Sequence, residues 1–388
     1  MKPLRRTLVF SLILAVALAA RAATLEEEMR AVERIRGLRF IGRVHTVQLD
    51  RSELPEHLRN EFQKTLPYST EDWVDVLHAL RLVDQGTTGE GIVSSLLTLY
   101  QSQVLAYYDP PSKTFYTVKQ LPDAVKDMPM AGALDAGVAI HELTHALQDQ
   151  HFHIGEKDVA LRDDADANLA YHAVLEGDAS LAMIAYMVEQ GGENFDEMMK
   201  SDPFSTTLSS AAAQNVSVEG PKYFVEMLKF PYLDGIRFVL AAYKRGGWKA
   251  IDAVYANPPQ STREIYNPDK YFAHRFMATP FDRRPPIAVP RLLSVEHLGE
   301  FNWRYLVGAE NARGWVGDRE TIAQNAWCEP TVLSETQWDS EEQARKFYDA
   351  YRRSLDDAGA GSLGRIDGRS VRVAYGSDRP LMEKFIAR

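Results

Sequence analysis

The chain has 388 residues and a formal net charge of −10, with 45% hydrophobic, 25% charged and 10% aromatic residues and a single cysteine. These values exclude a disordered, collagen-like or disulfide-stapled chain, and the length predicts about two lobes. An acidic balance without runs of lysine or arginine argues against nucleic acid as a partner.

The first 22 residues read as a secretory signal peptide. Lys2, Arg5 and Arg6 form a basic start, Leu8 to Ala20 is apolar but too short to span a bilayer, and Ala20-Arg21-Ala22 is a small-x-small cleavage site. The expectation is a periplasmic or secreted protein with no stable membrane anchor after cleavage, an uncleaved anchor being the rival. Cys328 has no partner for an internal disulfide and is expected to be a small buried hydrophobe.

In chain order, Thr24 and Glu27 form a capping-box pair that opens a helix through Arg34, with Gly37 placed to close it in a left-handed turn. Leu38 to Leu49 reads as a strand, and Ser52 to Leu66 as an amphipathic helix. Ser69 or Thr70 caps the next helix, which runs through Trp73, Val76 and Leu80. Gln103 to Tyr108 and Thr114 to Val118 predict a hairpin around the turn-forming Asp109-Pro110-Pro111-Ser112-Lys113. Two long helices follow, Gly132 to Gln150 and Asp163 to Gln190, then a third over Pro221 to Arg245 stopped by Gly246-Gly247. The prolines at 280, 285, 286 and 290 break the periodicity and suggest a lobe boundary. Beyond them, strand patterns at Thr331 to Trp338 and Ser370 to Tyr375 flank a helix opened by Ser340 and Gln343. The domain expectation is therefore a signal peptide at 1–22, a catalytic domain at 23–285 and a smaller α+β lobe at 286–388.

The segment that carries chemistry is His141-Glu142-Leu143-Thr144-His145, an HExxH pattern in a helical stretch. At about 100° per residue, side chains four positions apart project from nearly one line on a helix, so both imidazoles can converge on one metal ion. A carboxylate at 142 can then take a proton from water activated by the metal and return it to a leaving amine. A catalytic zinc normally has three protein ligands. His151 has the spacing of the HExxHxxGxxH pattern, but Gln148 stands where glycine would turn the chain. Glu176, 31 residues beyond His145 on the next long helix, is the other candidate and is favoured. The alanines at 167, 170, 173, 179 and 182 let that helix pack closely against the first.

These residues resemble gluzincin-type zinc metallopeptidases, with HExxH on one helix and a glutamate ligand on the next. His141 to Gln150 is similar to the HELxHALQDQ segment of uncharacterised bacterial metallopeptidase-like proteins, and Leu175-Glu176-Gly177-Asp178-Ala179 to their second-helix motif. The likeness is strong over about 75 residues. It extends more loosely to Tyr107-Tyr108-Asp109-Pro110, Phe230-Pro231-Tyr232 and Pro258-Pro259-Gln260-Ser261-Thr262. The resemblance implies His141, His145 and Glu176 as zinc ligands and Glu142 as general base, although the connection from His145 to Glu176 is longer than in the best-known gluzincins. It also implies an α+β, zincin-like lobe, largely helical around the site.

Around this core, Asp178 or Asp166 could orient an imidazole, with a solvated surface position equally open for Asp178. His172 shares the Glu176 face, though a structural histidine is the simpler reading. Tyr232, Tyr266 and His274 are available as oxyanion donors, Tyr232 being preferred. The hairpin is a candidate edge for pairing with an extended peptide, a plain core hairpin being the alternative. Gly314-Trp315-Val316-Gly317-Asp318 reads as a tight turn against a core aromatic. The expected partner is a peptide or protein substrate, and the expected activity zinc-dependent peptide hydrolysis. The rival is a non-catalytic protein of zincin fold that binds or scaffolds in the cell envelope.

Overall fold

The computed structural model describes residues 24–65, 69–103, 105–119, 131–200, 221–274, 276 and 281–388. The predicted signal segment lies outside them. Among the described residues no helix is long and apolar enough to cross a membrane. The chain is mixed α+β, running α1 (Leu25–Arg36), β1 (His45–Leu49), α2 (Leu54–Thr65), α3 (Thr70–Ala79), α4 (Gly89–Gln103), β2 (Ala106–Asp109) and β3 (Thr114–Val118). It continues with α5 (Ala131–Phe152), α6 (Ile154–Leu161), α7 (Ala165–Gln190), α8 (Phe195–Met199), α9 (Lys222–Gly246), α10 (Trp248–Ala256), α11 (Thr262–Tyr266) and α12 (Pro268–Phe272). The remainder is β4 (Arg291–Glu296), α13 (Gly299–Val307), α14 (Ala309–Ala312), β5 (Trp315–Gln324), β6 (Pro330–Trp338), α15 (Glu341–Asp357), β7 (Ser362–Asp367), β8 (Ser370–Gly376) and α16 (Arg379–Ala387).

Two compact units form from interleaved stretches. One comprises Met1–Phe62, Val93–Ala160 and Tyr171–Pro258; the other comprises Gln63–Ile92, Leu161–Ala170 and Pro259–Arg388. The proline cluster expected at a boundary falls inside the second unit, where Ile287 and Val289 pack on a core of Ala323, Leu333, Ala374, Leu381, Met382 and Phe385.

In the first unit, α1 opens with the expected capping box between Thr24 and Glu27 and closes on Gly37 at φ +69°. The β-sheet has the order β1-β3-β2, with β1 parallel and β2 antiparallel to β3. Of the strand expected at Leu38 to Leu49, only His45–Leu49 joins the ladder. The preceding residues are held instead by α5. Gln150 Oε1 accepts the N–H groups of Ile41 (2.7 Å) and Gly42 (3.0 Å), and His151 Nε2 donates to the Arg39 carbonyl (2.7 Å).

The second unit carries an antiparallel sheet of order β4-β5-β6-β8-β7. Strand alternation places Leu333 and Ala374 on one face, against α16, and Val332 and Tyr375 on the other. Trp303, Trp338, Phe347 and Tyr351 form an aromatic cluster that Tyr375 joins. Trp315 to Asp318, expected as a turn, begins β5, an interior strand between β4 and β6. Buried Asp318 accepts four N–H groups, from the Leu298 and Gly299 backbones and the Trp303 and Trp315 indoles, at 2.7–3.0 Å. Cys328 is exposed rather than buried, because it sits at φ +61° in the β5–β6 turn that the Asn325 side chain braces.

Candidate metal centre

α5 carries the HExxH residues and is followed by His153 in the left-handed region (φ +54°). Because the helix runs on through His151, that imidazole turns away from His145 and ties down Arg39. The four residues after Leu147 thus each make a separate tether. Gln148 Oε1 meets His145 Nδ1 at 2.8 Å, Asp149 accepts the Tyr108 hydroxyl at 2.9 Å, and Gln150 and His151 hold the 39–42 segment.

α7 brings Glu176 to the two histidines. His141 Nε2 lies 3.0 Å from Glu176 Oε2 and 3.2 Å from His145 Nε2, and His145 Nε2 lies 3.6 Å from Glu176 Oε1. One ligand atom from each residue falls within 4.8 Å of the others, a grouping that could hold a metal ion. Nitrogen and oxygen ligands at about 2.0–2.1 Å from a tetrahedral zinc stand about 3.3 Å apart, so these separations fit such an ion.

The electrostatics are those of an anionic ligand set. Burial alone would raise the Glu176 carboxyl, yet His145 and His141 hold it well below the usual carboxylate range. Burial opposes the charge on His145, but Glu176, Glu142 and Gln148 together push it up to about 9. Those interactions are available equally to a bound cation. Burial raises the Glu142 carboxyl, against the opposing influence of the two imidazoles. Glu142 Oε2 also accepts the Tyr108 backbone N–H at 2.8 Å. The β2–β3 register turns this N–H out of the ladder, toward the open edge of β2.

The other candidates divide by location. Tyr232, on α9 beside the in-helix Pro231, sets its ring 6.2 Å from that of His141 at 26°. His172 pairs with Asp158 at 2.7 Å. Asp178, two residues from Glu176, is fully buried: it accepts from Gln148 Nε2 (2.9 Å) and the Tyr255 hydroxyl (2.8 Å) and pairs with Arg36 (3.0 Å). Sequence reasoning left Asp178 undecided and gave no role to Gln148 or Arg36. Asp166, Tyr266 and His274 belong to the second unit, where Asp166 binds Thr262 and the Tyr266 ring lies under the Arg304 guanidinium.

A family described as a domain of unknown function (DUF8575) matches residues 276–381, within the second unit. Comparison with the curated proteins and with the solved structures found no match.

Proposed function

We propose that this chain is a zinc-dependent metallopeptidase of zincin-like architecture, exported to the periplasm or the medium by its N-terminal signal segment. The observation that carries the reading is the meeting of His141, His145 and Glu176 ligand atoms at 3.0–3.6 Å, with a half-buried glutamate next in sequence to the first histidine. Zinc on these three residues would supply a Lewis acid that polarises a scissile carbonyl and acidifies water. Glu142 then has a general base's part. Burial raises its proton affinity, so its carboxylate can accept a proton and later yield it to the leaving amine. The Tyr108 N–H bond holds one Glu142 oxygen in place. β2, an edge strand of its sheet, is the element suited to pairing with an extended peptide, through outward groups other than the Tyr108 N–H that Glu142 holds, and the half-exposed Tyr232 is suited to donate to the carbonyl oxygen as it gains charge.

The test is Glu142→Gln. The variant should keep its zinc and lose about 100-fold or more in hydrolysis of a broad peptide library. Unchanged turnover removes Glu142 as base. A wild-type protein that holds zinc but cuts nothing, with or without chelator, is instead the binding or scaffold protein.

A further inference from the structure

A metal-bound imidazole works only if the ring nitrogen that faces the metal is deprotonated, and the partner of the other nitrogen sets which one that is. Here that partner is Gln148, and its orientation is fixed by chemistry. The Gln148 Nε2 group lies 3.2 Å from the Leu175 carbonyl and 2.9 Å from Asp178 Oδ2, both acceptors, so the amide must be turned with its NH2 toward them. Its Oε1 is then left facing His145 Nδ1 at 2.8 Å and can only accept. The neutral His145 imidazole that a metal requires therefore keeps its proton on Nδ1, leaving the Nε2 lone pair for the metal on the side of His141 and Glu176.

What keeps Asp178 an acceptor lies on other helices. Its Oδ1 is 3.0 Å from Arg36 Nε, its Oδ2 accepts from Arg36 Nη2 (3.2 Å) and Tyr255 (2.8 Å), and Arg36 reaches on to Asp252 Oδ1 (2.7 Å). Arg36 and Asp178 are both essentially inaccessible to water. Arg36 is the last residue of α1.

We propose that Gln148 is a positioning residue that fixes the His145 tautomer for metal binding, and that the buried Asp178–Arg36 pair orients it, making α1 part of the metal centre's support. The inference rests on the metal-centre reading above. Its test is zinc affinity, measured with turnover set aside. Gln148→Met, close in volume but without an acceptor, should weaken zinc binding about 10- to 100-fold while the metal-free protein keeps its far-ultraviolet circular dichroism. Asp178→Asn should also weaken zinc, but the double variant should bind no more weakly than Gln148→Met, because Asp178 acts through Gln148. In the wild-type protein loaded with cadmium-113, the coupling to His145 should appear at Nε2 with Nδ1 protonated, a reading that needs no variant to fold. Wild-type affinity in Gln148→Met, additive losses in the double variant, or coupling at Nδ1 overturns the proposal. A wild-type chain that binds no zinc overturns this inference and the proposed function together. Zinc binding without turnover overturns only the latter.

Discussion

A Cβ atom on Gly177 would lie 2.5 Å from the carbonyl oxygen of Gly235, and one on Gly235 would run into the Ala173 carbonyl. α7 and α9 therefore meet backbone to backbone, one residue from Glu176 of the candidate metal centre and three from Tyr232. Small residues at such a crossing let two helices approach more closely than side chains normally permit. Gly177→Ala should force them apart, costing about 1–3 kcal/mol in urea unfolding and weakening zinc binding as Glu176 shifts. Gly42→Ala, where a Cβ meets nothing within 4 Å, is the control and should change neither. Zinc affinity unchanged in a destabilised Gly177→Ala would show that Glu176 does not depend on this crossing.

Glu28 on α1 makes stability depend on pH. Burial, with help from Asp135 on α5 and from Glu27, raises its carboxyl to about 7 from an ordinary 4.5. Between those values the folded chain holds this proton and the unfolded chain has released it. The folded state thus binds more protons, and stability falls as pH rises through the window. For a partly exposed carboxyl the loss is on the order of 1–2 kcal/mol. Glu28→Gln should match wild type at pH 4 and exceed it by that amount at pH 8. Parallel losses in both proteins between these pH values would assign the effect to other groups.

The parts of the chain legible from sequence are those whose signals are local. HExxH and its helix, the Thr24–Glu27 cap and the 114–118 strand need only short-range spacing and turn chemistry, and all three sit where they are expected. β5 was missed as a strand because its sequence, WVGDRETIAQ, places charge where alternation demands apolar residues. Its charges are tolerated through distant partners. Asp318 collects four N–H groups, Arg319 pairs with Glu335, and buried Glu320, its carboxyl raised well above the ordinary range by burial, bonds Ser334. The same limit hid Gln148 and Arg36 at the candidate site. A glutamine within HALQDQ and an arginine more than a hundred residues earlier acquire a common role only once α1, α5 and α7 are packed together.

The identity of the third ligand separates cleanly in a thermal series. A ligand that binds only the folded chain stabilises it by about 2.7 kcal/mol at 100 times its Kd, which raises Tm by several degrees. Zinc added to metal-free protein should give that rise in wild type and in Glu142→Gln, and none in His145→Ala or Glu176→Ala, whose ligand sets are broken. His151→Ala removes the tether to Arg39 and should cost the roughly 0.5–1.5 kcal/mol of one hydrogen bond, lowering the starting Tm slightly, but should keep the full zinc response. The opposite pattern, a response kept by Glu176→Ala and lost by His151→Ala, would move the third ligand to His151 and require α5 to turn before that residue.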